Sequence, residues 1–359
     1  MKIALANNLY YPYNRGGAET VIKQMIADLK SQGHDIFLIT TKPKKGLALP
    51  EETTTNKPAN KELKIYYFPS YYYNLATLPS FIKVLWHLTN IFSWHKTAAI
   101  KKILIKEKPE LIITHNLMGL GFLLPQAIKK LQIRHEHYLH DIQLLYPTGL
   151  MILGKEKIID GLSAKIYQFF TRAFLLSPAK VISPSLWLLE QHRQRGFFKN
   201  SQTEIKNLTA PKNAAVINHN QPAKNFLFVG QIEEHKGIMF LLAAFQSALE
   251  TKPEIRLTII GDGILLANAK KIAENNKQIE FRGRLSSDKV KEIMAENDFL
   301  IVPSLCYENA PMTIYEAHAS GLKVLAANIG GIPEIINNYD KLFKPGDMVD
   351  LRNKILDIS

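Results

Sequence analysis

Two glutamates eight residues apart, Glu308 and Glu316, stand in the run PSLCYENAPMTIYEAHASGLKVLAANIGGIPEI, residues 303–335. Glu308 lies in a polar, proline-containing loop. Glu316 lies where the apolar pattern Met312, Ile314, Tyr315, Ala317 begins a helix. A carboxylate in the first turns of a helix can accept hydrogen bonds from donors held at a fixed distance, while the helix's free N–H groups face an anion. A ligand carrying both hydroxyls and phosphate, such as a nucleotide, suits that combination. Asn309, Ala310, Pro311 and Met312 would set a turn of backbone against it, and Gly330-Gly331 would allow a second close approach. A tight loop with a helix-capping carboxylate explains the same residues without a ligand.

Five other fragments carry chemistry. Arg15-Gly16-Gly17-Ala18-Glu19 follows the first strand pattern and opens a helix, so backbone N–H groups could meet a ligand there. The spacing GxGxxG is absent at this turn, which argues against a dinucleotide oxidoreductase. Glu136-His137-Tyr138-Leu139-His140-Asp141 follows an expected strand over 131–136. Its two histidines approach metal-ligand spacing, but no third ligand set or HExxH accompanies them, so no metal is expected. His140 then reads as a group for substrate hydroxyls, with Asp141 orienting it or binding a hydroxyl itself; a buried structural histidine is the alternative. Gly230-Gln231-Ile232-Glu233-Glu234-His235-Lys236-Gly237 puts a lysine where a helix begins, a place for phosphate oxygens or simply a solvated surface lysine. Gly261-Asp262-Gly263 and Gly283-Arg284-Leu285 each follow a strand pattern. The second could hold a base edge through its backbone, or be an ordinary turn.

The elements that must position these groups alternate along the chain. Strand patterns at 3–6, 36–40, 65–68, 111–114 and 181–184 are separated by amphipathic helices, and the scheme repeats from Phe226 onward. Such alternation predicts parallel sheets covered by helices on both faces. With 359 residues, two α/β domains of doubly wound, Rossmann-like type are expected, at 1–212 and 213–359, facing across a cleft. Residues 42–62 read as a polar loop and 207–224 as the linker. The single cysteine, Cys306, rules out an internal disulfide and a cysteine metal cluster, and points to a reducing, cytoplasmic compartment. The amino-terminal run breaks at Asn7-Asn8, which suits a buried strand and not a signal peptide, and no apolar run reaches the length of a membrane span.

Charge is uneven. Residues 1–212 hold 29 Lys and Arg against 14 Asp and Glu, whereas 213–359 hold 16 against 18. A basic first half fits an anionic membrane surface, a nucleic acid, or no partner beyond water. No recognisable RNA or DNA module accompanies the charge. Aromatic residues at 66–68 and 71–73, and the helical pattern Phe81, Val84, Leu85, Leu88, lie beside Lys83, Lys96, Lys101 and Lys102. That mixture suits sugars, a membrane interface, or a helix packed on its own domain.

In order and spacing these fragments resemble retaining glycosyltransferase family 4, of the GT-B fold. The resemblance runs through Phe228-Val229-Gly230, Lys236-Gly237, Gly261-Asp262-Gly263, Phe281-Arg282-Gly283, Val302-Pro303-Ser304, Glu308, Glu316, Ala319-Ser320-Gly321, Gly330-Gly331-Ile332-Pro333-Glu334 and Pro345-Gly346-Asp347. In the first half it covers Gly16-Gly17, His140-Asp141 and Ile182-Ser183-Pro184-Ser185. It implies sugar transfer from a nucleoside diphosphate sugar, UDP- or GDP-linked, to an acceptor hydroxyl, with no cofactor or metal required. Glu316 would hold the ribose, Lys236 the departing diphosphate, Glu308 the donor sugar, and the Gly283–Leu285 backbone the base. Gly17 would approach phosphate and sugar, and His140 the donor sugar near the reacting centre. A glycan or lipid-linked acceptor, cell-surface glycan assembly, and a place at the inner face of the cell membrane are the further implications.

Two departures from the family pattern bear on activity. Gln231 stands where the family has an arginine on the diphosphate; an amide supplies no charge, and Arg284 or Arg15 would have to compensate. The resemblance also implies terminal helices that brace the first domain, and with Ser359 as the last residue of this sequence, that brace is expected to be missing. An inactive glycosyltransferase-like scaffold and a nucleic-acid-binding protein are the competing readings.

Overall fold

The computed structural model describes residues 1–13, 16–44, 63–207 and 222–359. The expected linker lies mostly outside these residues, as do Arg15 and most of the polar loop at 42–62. Two compact units emerge. The first comprises 1–150, 157–184 and 188–206; the second comprises 151–156, 185–187 and 207–359.

In the first unit seven strands run β1 Lys2–Ala6, β2 Asp35–Pro43, β3 Lys64–Ser70, β4 Leu111–Thr114, β5 Arg134–Tyr138, β6 Lys180–Ser183 and β7 Gln202–Ile205. Between them lie α1 Gly17–Ser31, α2 Ser80–Ile91, α3 Trp94–Glu107, α4 Leu124–Lys130, α5 Leu162–Leu175 and α6 Leu186–Arg193. The strands are all parallel, in the order β3-β2-β1-β4-β5-β6-β7. Ile3, Leu5, Ile36, Leu38, Ile113 and Ile182 are buried and pack with Ile22 and Ile26 of α1. Strands covered on both faces bury successive residues, and β4 is buried at all four positions.

The second unit repeats the plan with β8 Asn225–Val229, β9 Arg256–Ile260, β10 Ile279–Gly283, β11 Phe299–Val302, β12 Lys323–Ala327 and β13 Lys341–Phe343. Its helices are α7 Ile238–Leu249, α8 Leu266–Ala273, α9 Ser287–Ala295, α10 Met312–Ala319 and α11 Met348–Ile358. The parallel order is β10-β9-β8-β11-β12-β13. Phe226, Leu227, Phe245, Leu300, Val324 and Leu325 are fully buried in one core. Of the two serines the sequence offers as a cap for α9, Ser286 and Ser287, it is Ser286 that accepts the Lys289 N–H.

Both sheets therefore reverse winding direction beside their first strand, between β1 and β4 and between β8 and β11. Helices leave such neighbouring strands toward opposite faces, and the crevice at their carboxyl ends is where open parallel sheets take ligands. One sequence boundary moves. The strand expected at 131–136 runs from Arg134 to Tyr138, because Leu131 closes α4 and Gln132 turns with a φ of 55°. His137 thus belongs to the strand and is buried, and the loop proper starts at Leu139.

At Gly237 (φ 74°) an added Cβ would lie 1.9 Å from the carbonyl oxygen of Pro303, so the loops after β8 and β11 meet backbone to backbone there. Gly33, with a similar φ of 79°, faces open space. Gly33→Ala should cost about 1 kcal/mol of stability and Gly237→Ala about 3 kcal/mol, since only the second adds a collision to left-handed strain. Urea unfolding checks this, and equal losses would contradict the packing argument.

Candidate active site

Lys236 and Glu308 come from the loops after β8 and β11, the two strands that flank the reversal in the second sheet. The backbone sets them against each other. Leu305 donates its N–H to the His235 carbonyl at 2.9 Å, and Gly331 donates to the Glu308 carbonyl at 2.7 Å. A Cβ at Gly330 would stand 2.2 Å from the Glu308 carbonyl oxygen, and one at Gly331 2.0 Å from that of Asn309. The Gly-Gly step approaches the Glu308 loop and holds its backbone.

The result is an ion pair, with Lys236 Nζ 2.5 Å from Glu308 Oε1. Ser304 Oγ donates to the same oxygen at 3.3 Å and Cys306 Sγ lies 3.7 Å from it. All three contacts use Oε1, so Oε2 has no protein donor among the described residues. Burial pushes the Glu308 carboxyl up, but the charge and hydrogen bond of Lys236 outweigh it and hold the group below its ordinary value. Burial likewise pulls Lys236 down, and Glu308 reverses this. Both charges therefore persist at neutral pH: a fixed ammonium beside a carboxylate with one oxygen to spare. Burial, with Glu308 nearby, pushes the Cys306 thiol well above its ordinary range, so it is neutral and unreactive.

The remaining second-unit candidates surround the same carboxyl edge. Glu316 sits on α10, half-buried, its carboxylate without a hydrogen-bond partner among the described residues; burial pushes that carboxyl up. The helix is anchored from below by His318, whose Nε2 lies 2.8 Å from buried Asp340. Asn309, Ala310 and Pro311 form the turn between Glu308 and Met312, the first residue of α10. Gly263 follows β9, and a Cβ there would fall 2.6 Å from the Ile232 carbonyl oxygen, so it packs the β8 loop. Gly283 ends β10 (φ 64°) with nothing within 4 Å, and Arg284 and Leu285 follow it. Gln231 and Arg284 are exposed, at the ends of strands two places apart in the sheet.

Tyr307 was not among the expected residues. It braces the Glu308 loop: its N–H donates to the Met151 carbonyl at 2.8 Å, its hydroxyl to Glu156 at 3.0 Å, and its ring stacks on Trp187 at 5.6 Å. Segments 151–156 and 185–187 belong to this unit through such contacts. Only long-range pairing, invisible in a local pattern, reveals them.

In the first unit the reversal lies between the loops after β1 and β4. Gly16 precedes α1, and its N–H donates to Glu19 at 2.9 Å, while the first N–H groups of α1, starting at Gly17, have no intrahelical partner. Gly16 has an extended φ of −155°, and an added Cβ would meet nothing nearer than 3.9 Å. The fold itself does not require glycine there. Asn7 and Asn8, which interrupt the first apolar run, tie this loop to the next: Asn116 donates its N–H to Asn7 Oδ1 at 3.1 Å, and Asn8 donates to the Asn116 carbonyl at 2.9 Å.

His140 and Asp141 follow β5. His140 Nε2 lies 2.8 Å from Nδ1 of fully buried His115, and the two rings stack with Tyr138. Burial pulls His140 down to about 4 and His115 well below its ordinary value, so both rings are neutral at pH 7. His115, a single histidine after β4, gave no motif to find. Asp141 accepts from the Gln143 N–H at 2.7 Å and from Asn116 Nδ2 at 2.9 Å, yet burial pushes it up to about 6.

Matching sequences bear on both units. Residues 15–205 match the family model described as Glycosyltransferase Family 4, and residues 210–359 match Glycosyl transferases group 1. The chain belongs to the family 4 type of GT-B glycosyltransferases. Across 356 residues this glycosyltransferase is 22% identical to an uncharacterized 42.6 kDa protein in the cps region of Klebsiella pneumoniae, covering 98% of this chain and 91% of the relative. Its fold matches the apo form of the lipopolysaccharide outer core galactosyltransferase WaaB, with a TM-score of 0.65 at 19% identity over 100% of this chain and 92% of that one. It also matches Anabaena HepE in complex with UDP, with a TM-score of 0.67 at 16% identity over 99% and 89%.

The raised Asp141 value makes a signed prediction for the glycosyltransferase. The folded chain binds the Asp141 proton more tightly than the unfolded chain does, so this carboxyl lowers stability as pH rises from about 4 to about 6. Asp141→Asn escapes that loss. Its stability relative to wild type should climb by about 1–3 kcal/mol across the window and level off above it, measured by urea unfolding from pH 4 to 8. A difference that stays flat with pH would show that the buried charge costs nothing.

Proposed function

We propose that this glycosyltransferase transfers a sugar from a nucleoside diphosphate sugar to an acceptor hydroxyl, with retained anomeric configuration, in assembly of a cell-surface glycan or glycolipid. The observation that carries the reading is the Lys236–Glu308 pair at the winding reversal of the second sheet, with Glu308 Oε2 unoccupied by donors among the described residues. An ammonium fixed before the reaction stabilises the negative charge that develops on the departing diphosphate without reorganising. Lys236 keeps two further N–H donors for phosphate oxygens after serving Glu308. Glu308 presents Oε2 to sugar hydroxyls, and its tight pairing to a lysine suits a positioning group better than a nucleophile.

In this mechanism the acceptor oxygen bonds to the anomeric carbon on the face from which the diphosphate departs. The bond from that carbon to the phosphate oxygen breaks, and the acceptor proton passes to the leaving phosphate. Glu316 on α10, whose carboxylate has no partner among the described residues, takes the ribose hydroxyls, and the backbone of Gly283, Arg284 and Leu285 takes the base. The first domain carries the acceptor. The UDP complex of HepE favours a uridine donor, and the outer-core transferase and cps-region relatives favour a surface glycan product. Such a role places the chain in the cytoplasm, peripheral to the inner face of the membrane. Gln231, exposed and uncharged where the family carries arginine, favours one second reading, a scaffold that binds donor and turns it over weakly.

Thermal unfolding against UDP, GDP and their sugar conjugates tests the donor site. One nucleotide series should raise the midpoint, by the equivalent of about 2.7 kcal/mol at a hundredfold excess over Kd. Glu316→Ala should weaken that nucleotide at least about tenfold, as loss of two charged hydrogen bonds requires. Unchanged affinity in Glu316→Ala would remove the ribose assignment, and stabilisation without turnover would favour the scaffold.

A further inference from the structure

The first unit contains a groove of about 600 Å³ between the end of β3, α2 and the start of α3. Its walls are largely apolar, with Trp86, Leu88, Phe92 and Trp94, and its lysines are Lys44 and Lys96; among the described residues no Asp or Glu lines it. Lys96 is half-buried, donates to the Gly119 carbonyl at 2.6 Å, and has no carboxylate partner among the described residues. Lys44 stands 4.4 Å over the Tyr71 ring and hydrogen-bonds its hydroxyl, with no carboxylate partner among the described residues. Burying an ammonium without a counter-charge is costly, and burial does pull Lys96 below its ordinary value.

The outer face of the same helix continues the apolar surface. Phe81, Val84, Leu85 and Leu88 recur at helical spacing on α2 and are 74%, 61%, 60% and 46% exposed. A helix with its apolar stripe turned to solvent lacks the neighbour its sequence suits. Together the groove and stripe offer hydrocarbon contact beside two positive charges that no carboxylate among the described residues compensates.

We propose that this groove binds the acyl chain of an anionic phospholipid, with Lys96 and Lys44 on its phosphate and the α2 stripe in the surrounding lipid. Phosphate supplies a counter-charge that no described carboxylate gives these lysines, and the chain fills the apolar walls. The inference deepens the membrane part of the proposed function, but its test uses neither donor nor turnover, so either can fail alone.

The full chain carrying Trp187→Phe retains only Trp86 and Trp94 of its three tryptophans. Its fluorescence is titrated with vesicles of phosphatidylglycerol or phosphatidylcholine bearing brominated acyl chains. Quenching should occur at lower lipid concentration with phosphatidylglycerol. Lys96→Gln, and the exposed Lys44→Gln, should each raise the half-quenching concentration about fivefold. Lys129→Gln, an equal charge loss on α4, should shift it less than about twofold. Equal quenching by both lipids, no quenching, or equal shifts for all three lysines would overturn the groove.

Discussion

The ion pair between Lys236 and Glu308 is the interaction on which the second unit's site depends. Neither charge is tenable alone where it lies. Burial penalises both, and each is kept ionised by the other. Their alignment is inherited from backbone contacts that tolerate no side chain, at Gly237 against Pro303 and at Gly330-Gly331 against Glu308 and Asn309. The pair is thus a product of the sheet's winding: adjacent strands β8 and β11 send their loops to one crevice, and glycines let those loops touch.

Placement then decides chemistry. One carboxylate oxygen is consumed by Lys236, Ser304 and Cys306, and the other has no donor among the described residues. The ammonium is positive before any ligand arrives. The tyrosine between Cys306 and Glu308 fixes the loop from the far side through Met151, Glu156 and Trp187. A site prepared in this way suits anionic leaving groups, which is the demand sugar transfer from a nucleoside diphosphate makes.

Much of this was legible in the sequence because it rests on local signals. Alternating apolar strands and amphipathic helices gave parallel sheets, Ser286 marked a helix start, and Glu308, Lys236 and the paired glycines stood out by type and spacing. What was hidden depends on distance along the chain. His115 meets His140 only because β4 and β5 are neighbours, and Tyr307 meets Met151 and Trp187 only in three dimensions. The shift of β5 to Arg134–Tyr138 has a local cause, the turn at Gln132, but a non-glycine residue with positive φ leaves no reliable mark. The Gly-Gly step was seen as close approach, yet residue type alone does not distinguish approach to a ligand from approach to a neighbouring loop.

The central claim is that Lys236 and Glu308 stabilise each other and so organise the loop between β11 and α10. A double-mutant cycle in urea unfolding tests it most directly. Lys236→Met in the wild-type background should cost about 3 kcal/mol, because it strands a buried carboxylate. In a Glu308→Gln background the same change should cost less than about half as much. Equal costs in the two backgrounds would mean that the pair is incidental, and the account of the site built on it would fall.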